Sequence, residues 1–295
     1  MINPVRICFL GLVLLAAGSV SAQDYYGSGW SGEAEFALYY DDNVSRTGAA
    51  PGREEDFITQ LGVGATYLQK LSRRAELAVG ARVAWERFDE FGDLDNVELA
   101  AQGYLVFQPV PGFTQPWVEA SARLSRLQFN DSDIRDGNLL QFGAHVGKRL
   151  RENVQVTGGY TYTRRYGEGE VFDLDDHSLE LDLDWDASRR LSAYGSYAYH
   201  VGEVVSTAPP GLRIASAAEA LSPDEVFETG IGPGCSNRRC AYRLDADSHV
   251  LIAGLEYALS ERLNLDLSAR WFHVDWGDNA SYEGRLYRLS LYLQF

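Results

Sequence analysis

Beyond its first two dozen residues the sequence has no long apolar run, so it encodes no helix able to span a bilayer there. Stretches with helical periodicity are few. Positive charge is also in deficit: 26 Lys and Arg stand against 42 Asp and Glu, a net charge of −16. That balance excludes nucleic acid as a partner, because a phosphate backbone demands a basic face. Cysteine is scarce, with three in 295 residues, which excludes a small disulfide-stapled domain. Two of them, Cys235 and Cys240 in the segment CSNRRC, are expected to close one small disulfide ring in an oxidising compartment. No further ligands lie at metal-site spacing, so neither a metal nor a cofactor is expected. The Gly-x-Ser-x-Gly and His-Glu-x-x-His motifs and calcium-loop spacing are missing as well.

What is present begins with a leader. Met1 to Ala22 has Arg6 in its n-region, an apolar stretch from Ile7 to Gly18, and Val20-Ser21-Ala22 as a small-residue cleavage site. The chain is therefore expected to be exported, with residues 23–295 forming one domain. An exported protein without a membrane helix can still be membrane-integral if its strands close a barrel that pairs every backbone group.

The last fourteen residues carry that reading furthest. Arg285, Tyr287, Leu289, Leu291, Leu293 and Phe295 share one strand face; Gly284, Leu286, Arg288, Ser290, Tyr292 and Gln294 share the other. One greasy and one wet face suit a wall between lipid and a polar lumen. The same period-2 pattern recurs along the chain and predicts twelve strands. Connections after even strands are short (residues 70–74, 111–115, 150–152, 187–189 and 260–261). Those after odd strands are mostly longer and often acidic (43–55, 89–95, 131–136, 167–175, 207–247 and 277–281). Aromatic residues recur near strand ends, as in an interfacial girdle. The predicted fold is all-β: a single closed antiparallel transmembrane barrel of about twelve strands, with short periplasmic turns and long extracellular loops.

Polar positions on the inward face define the candidate lumen and selectivity wall: Arg82, Glu98, Glu119, Arg123, His145, Arg149, Arg165, Glu180, Asp182, Asp184, His200, Glu256, Asp266, Arg270 and Arg288. Glu180, Asp182 and Asp184 on one side and Arg123, Arg149 and Arg165 on the other are expected to set a transverse field across a narrow bore. Residues 207–247 are too long for an ordinary connection. Ser222-Pro223-Asp224-Glu225 predicts a helix start, with Ser as N-cap and Glu closing a capping box. This segment is expected to act as a lid or plug. No catalytic residues are assigned. His177 beside Asp175 and Asp176, Ser248-His249, and His273 with Asp275 are the histidines nearest a partner, and neighbours on a strand point to opposite faces. Asp41-Asp42-Asn43 and Asp131-Ser132-Asp133 offer oxygen ligands for Ca²⁺, but such loop acids are more often only solvated.

The segment Tyr40-Asp41-Asp42-Asn43-Val44-Ser45-Arg46, the polar entry from Arg53 to Asp56, and Arg87-Phe88-Asp89-Glu90-Phe91-Gly92-Asp93-Leu94-Asp95 resemble the opening hairpins of a diverse group of Gram-negative β-barrel porins. Some members of that group are encoded with exopolysaccharide-synthesis operons. The resemblance covers about the first third of the mature chain. It implies the outer membrane as location, with lipid and lipopolysaccharide as surroundings, and it supplies no catalytic residues. The terminal strand resembles an outer-membrane insertion signal ending in Phe, which implies the barrel-insertion machinery as a partner. The expected function is a narrow channel for small polar or oligosaccharide solutes. The alternatives are a non-conducting scaffold presenting acidic loops to polysaccharide or a partner and, behind both, a membrane-embedded hydrolase.

Overall fold

A computed structural model describes residues 28–48, 52–209, 211–227, 235, 239–277 and 280–295. The leader lies outside the described residues. The strands are β1 (Gly29–Asp41), β2 (Asp56–Lys70), β3 (Ala75–Phe88), β4 (Asn96–Phe107), β5 (Trp117–Phe129), β6 (Gly137–Arg151), β7 (Val154–Gly167), β8 (Leu174–Asp186), β9 (Leu191–Ala208), β10 (Ala220–Pro223), β11 (Cys240–Ala258), β12 (Leu263–Asp275) and β13 (Ser281–Gln294). Every sequential pair except β9–β10 is an antiparallel neighbour. β9 pairs with β11, and β13 returns to β1 through registers such as Glu33↔Gln294 and Tyr39↔Arg288. Twelve strands therefore close into a barrel, with β10 as one extra strand outside the ring.

Alternation sets the two faces. Leu38, Leu267 and Leu289 are cross-strand neighbours on β1, β12 and β13, and all point outward and exposed. Val97, Leu99 and Leu105 on β4 and Leu179, Leu181 and Leu183 on β8 do the same. Three of the short turns share a local feature. Ser72, Ser188 and Ser260 each accept the backbone N–H two residues on with the side-chain oxygen, at 3.1, 3.2 and 3.3 Å. That interaction mimics a second backbone turn beside the bond each serine's own N–H makes across the connection, and keeps it short.

Carboxylates tie the outer loops in place. Asp95 takes the N–H of Phe88 and Asp136 that of Phe129, both at 2.7 Å. Asp56 accepts the N–H groups of Asp89, Glu90 and Phe91, each at 3.1 Å. Asp41 is bound to Arg46 at 2.5 Å and Asp42 to Arg53 at 2.8 Å, so the acids considered for Ca²⁺ at the end of β1 serve the loop itself.

One predicted element is different. Ser222 and Pro223 lie in strand β10, not in a helix, and the single α-helix of the described residues, α1, spans Leu212–Ala217. β11 starts at Cys240, eight residues before its predicted start. Its pairing with β12 ends at Asp247↔Asp275, so the edge of residues 240–243 stays open until β10 pairs there. An open edge of backbone donors and acceptors outweighs a local capping signal. Pro223 sits at the end of β10, where its missing N–H interrupts no ladder.

Candidate functional site

The lumen divides into two levels. On the lower side, toward the short turns, the inward positions of the strands carry charge. Arg82 from β3 and Arg288 from β13 both bind Glu35 on β1. Arg288 also reaches Asp266 at 3.9 Å, and Tyr194 donates to Asp266 at 2.8 Å. Arg123 binds Glu98 at 2.8 Å and Gln102 at 3.1 Å. His145 lies 3.7 Å from Glu180 and 4.0 Å from Glu119. Room for these side chains comes partly from glycine: a Cβ at Gly62 would run into the Arg82 guanidinium, and one at Gly159 into the His145 ring.

Above this layer the wall turns apolar. The inward positions at the outer ends of the strands are Ile58, Phe88, Leu127, Phe129, Leu139, Leu174, Val250, Phe272 and Leu286, and they enclose a cavity of about 190 Å³. Charged groups on the same wall are Asp41, Arg46, Glu86, Arg135, Arg165, Asp176, His200, Glu203 and Arg270. The outer part of the lumen thus mixes apolar side chains with these charges. Leu127, Phe129 and Leu139 pack on one another there, as in a core, because the loops above exclude water.

Residues 211–227, between β9 and β11, form the roof. Phe91, in the β3–β4 connection, lies diametrically opposite the β9–β11 seam in the ring order, and Phe227 packs on its ring with centroids 4.8 Å apart. Asp224 is wholly buried and accepts from Arg135 of the β5–β6 connection at 2.6 Å and from Thr207 at 2.7 Å. Arg239 binds Glu54 of the β1–β2 connection at 2.6 Å, and the Thr207 N–H reaches the Ser45 carbonyl at 2.9 Å. Cys235 and Cys240 form a disulfide at the return, with Cα atoms 5.8 Å apart. The segment crosses the mouth and is tied to three other loops.

All fifteen predicted lumen residues fall on the inner face, buried or half-buried between exposed or partly exposed neighbours. They do not all meet the expected partners. Arg123 binds Glu98 on its own side, and Arg165 donates to the Arg135 carbonyl at 2.5 Å. The Arg149 guanidinium lies over Phe113, 4.6 Å from the ring centroid, near the periplasmic turn. His200 meets Asp176 at 3.0 Å. The outward histidines pair with phenols: His177 with Tyr160 at 2.6 Å and His249 with Tyr197 at 2.8 Å. Sequence reading missed Arg46, Arg135, Asp224 and Phe227. Their signal was faint, since each sits in a loop with no periodicity to assign its direction.

Among solved structures, the chain is similar to the COG4313 outer membrane channel from Pseudomonas putida F1. The match covers 94% of this chain and 100% of that one at 12% identity, with a TM-score of 0.57. The fold is that of an outer-membrane β-barrel. The barrel also matches the NanC porin (8% identity, 88% of this chain and 98% of that one, TM-score 0.47) and the KdgM porin (8%, 89% and 99%, 0.44). No family model and no curated protein matches the sequence. The likeness is therefore one of architecture.

Proposed function

We infer that the protein resides in the outer membrane of a Gram-negative cell and acts as a gated channel for small solutes. The observation that carries this reading is the roof: one connection spans the mouth and is fastened to the far side by Asp224–Arg135 and Phe227–Phe91. A barrel serving only as a scaffold needs no buried latch over a cavity. The charged lower wall would then sort polar solutes, including small oligosaccharides, by size and charge.

A specific observation favours the scaffold reading. Buried clusters such as Arg82–Glu35–Arg288 stand across the lower lumen and narrow it. Against this, many loop carboxylates are engaged with their own backbone or with arginines, which leaves fewer to present to a partner. Among the described residues the hydrolase reading is left with one Asp–His pair within hydrogen-bond reach, Asp176–His200 at 3.0 Å, while Asp175 and His177 stand 3.8 Å apart.

Single-channel recording in planar bilayers separates these readings. The intact protein is expected to show small, infrequent openings. Asp224→Asn leaves Arg135 without its charged partner and should raise the open fraction several-fold. Silence from the intact protein and from a variant lacking residues 211–227 would remove the channel reading.

A further inference from the structure

Below the chamber, charge is spread unevenly around the barrel. On β13 and β1 to β4, together with Arg123 of β5, it balances: Glu33, Glu35 and Glu98 stand with Arg82, Arg123 and Arg288. The arc from Glu119 on β5 round to Asp266 on β12 is different. Its inward acids are Glu119, Glu180, Asp182, Asp184, Glu256 and Asp266. Among the described residues, β7, β8, β9, β11 and β12 turn no Arg or Lys inward below the chamber. β6 contributes His145, between Glu119 and Glu180, and Arg149, which lies over Phe113 near the turn. From the other arc, Arg288 comes within 3.9 Å of Asp266. The charges acting on Asp184 are those of Asp182, Asp186 and Glu256, and on Glu256 those of Asp266 and Asp186; all are negative. Neutral donors bonded to such carboxylates spread the charge without cancelling it.

We propose that this arc makes the open channel cation-selective, with Asp184 and Glu256 setting the preference. Small cations pass, and chloride and acidic sugars are held back. The inference rests on the channel reading and names the class of solute for it. Glu256 and Asp266 are directly opposite one another on β11 and β12, and like charges so placed destabilise a sheet. A cation in the lumen offsets that repulsion. Ser290, opposite Asp266 on β13, is wholly buried, and its inward hydroxyl has no hydrogen-bond partner among the described residues. An unbonded hydroxyl beside two carboxylates offers a further oxygen to a partly dehydrated cation. The low-dielectric wall of a narrow barrel concentrates the field of charges of one sign, as acidic rings do in cation channels. The opposite arc does not cancel this field, because each guanidinium there is bonded to a carboxylate.

Reversal potentials of single openings in planar bilayers test it, at about pH 8 with KCl at about 0.05 M on one side and about 0.15 M on the other, where the screening length is about 8 Å or more. The intact chain should favour K⁺ over Cl⁻ at least fivefold. Where it stays closed, the variant lacking residues 211–227 supplies the openings, since the roof is no part of the arc. Asp184→Asn combined with Glu256→Gln should cut the ratio at least threefold. Asp131→Asn, in an exposed outer loop, should leave it unchanged. Heat-dependent gel mobility verifies that each variant is folded, and the ratio of the unaltered protein stands even where a variant does not fold. Openings with a ratio of one or less would overturn the selectivity and keep the channel reading. A ratio unchanged in the folded double variant, or lowered as much by Asp131→Asn, would overturn the assignment to this arc. Silence from both the intact and the roof-deleted protein ends the channel reading, and its selectivity with it.

Discussion

Glu35 holds two guanidiniums at once. Arg82 arrives from β3 and Arg288 from β13, and all three side chains are buried. Such a triad contributes little over a well-packed apolar one, but removing one member strands the rest, at a cost of about 3–5 kcal/mol. Glu35→Gln should therefore lower the urea midpoint of unfolding in lipid vesicles markedly. Adding Arg288→Met to that variant should restore part of the loss, because one stranded cation is gone. Glu98→Gln should cost less, since Glu98 is less buried than Glu35 and is bonded to one guanidinium, that of Arg123. Equal losses for the two Gln variants would contradict a cooperative triad.

At the scale of elements, β9 and β11 run on past their neighbours, and this tongue carries an acidic trio. Glu203, Glu219 and Asp245 lie within 4.8 Å of one another, with Arg243 reaching Glu203 at 3.3 Å and Glu219 at 3.6 Å. Burial, opposed by the Asp175 N–H and Arg243 and reinforced by Glu219, pushes the Glu203 carboxyl above the usual carboxylate range; burial and then Glu219 do the same to Asp245. A raised carboxyl pKa means the folded tongue binds protons more readily than the unfolded chain. Its contribution is then fully present below the ordinary carboxylate range near pH 4 and is lost as pH rises through the elevated values. Hydrogen exchange of residues 203–208 and 240–246 should accordingly slow as pH falls from neutrality toward the ordinary carboxylate range, after correction for intrinsic rates, and Glu219→Gln should flatten that dependence. The trio also marks where sequence reading ran out. Period-2 alternation places Leu99 outward and Glu98 inward without any knowledge of partners, because the pleat alone dictates it. Whether Leu127 and Phe129, equally inward, meet water or each other depends on loops 80 residues and more away in sequence. Likewise the capping pattern at Ser222 is local, whereas the open edge of β11 that overrode it is created by where β12 stops.

For the molecule as a whole, the inverted arrangement of the barrel makes the sharpest demand. Leucines that a water-soluble sandwich would bury are exposed on the outside, and arginines such as Arg82, Arg123 and Arg288 are inside. The girdle and the outward leucines are stable together only if hydrocarbon takes the place of water. Leu289 tests this directly. It is outward on β13, flanked by Leu38 and Leu267 on the adjoining strands, and it lies midway along its own strand. An arginine near the bilayer midplane of an outer-membrane barrel costs about 2–4 kcal/mol. Leu289→Arg should show that loss in urea titrations from phospholipid vesicles. Leu293→Arg, four residues nearer the periplasmic end, should cost about 0–1 kcal/mol as the side chain snorkels to the interface. In detergent micelles, which deform around a charge, the gap between the two variants should shrink. A Leu289→Arg protein as stable in vesicles as the parent would mean that this face meets something other than lipid, and the outer-membrane placement would fall with it.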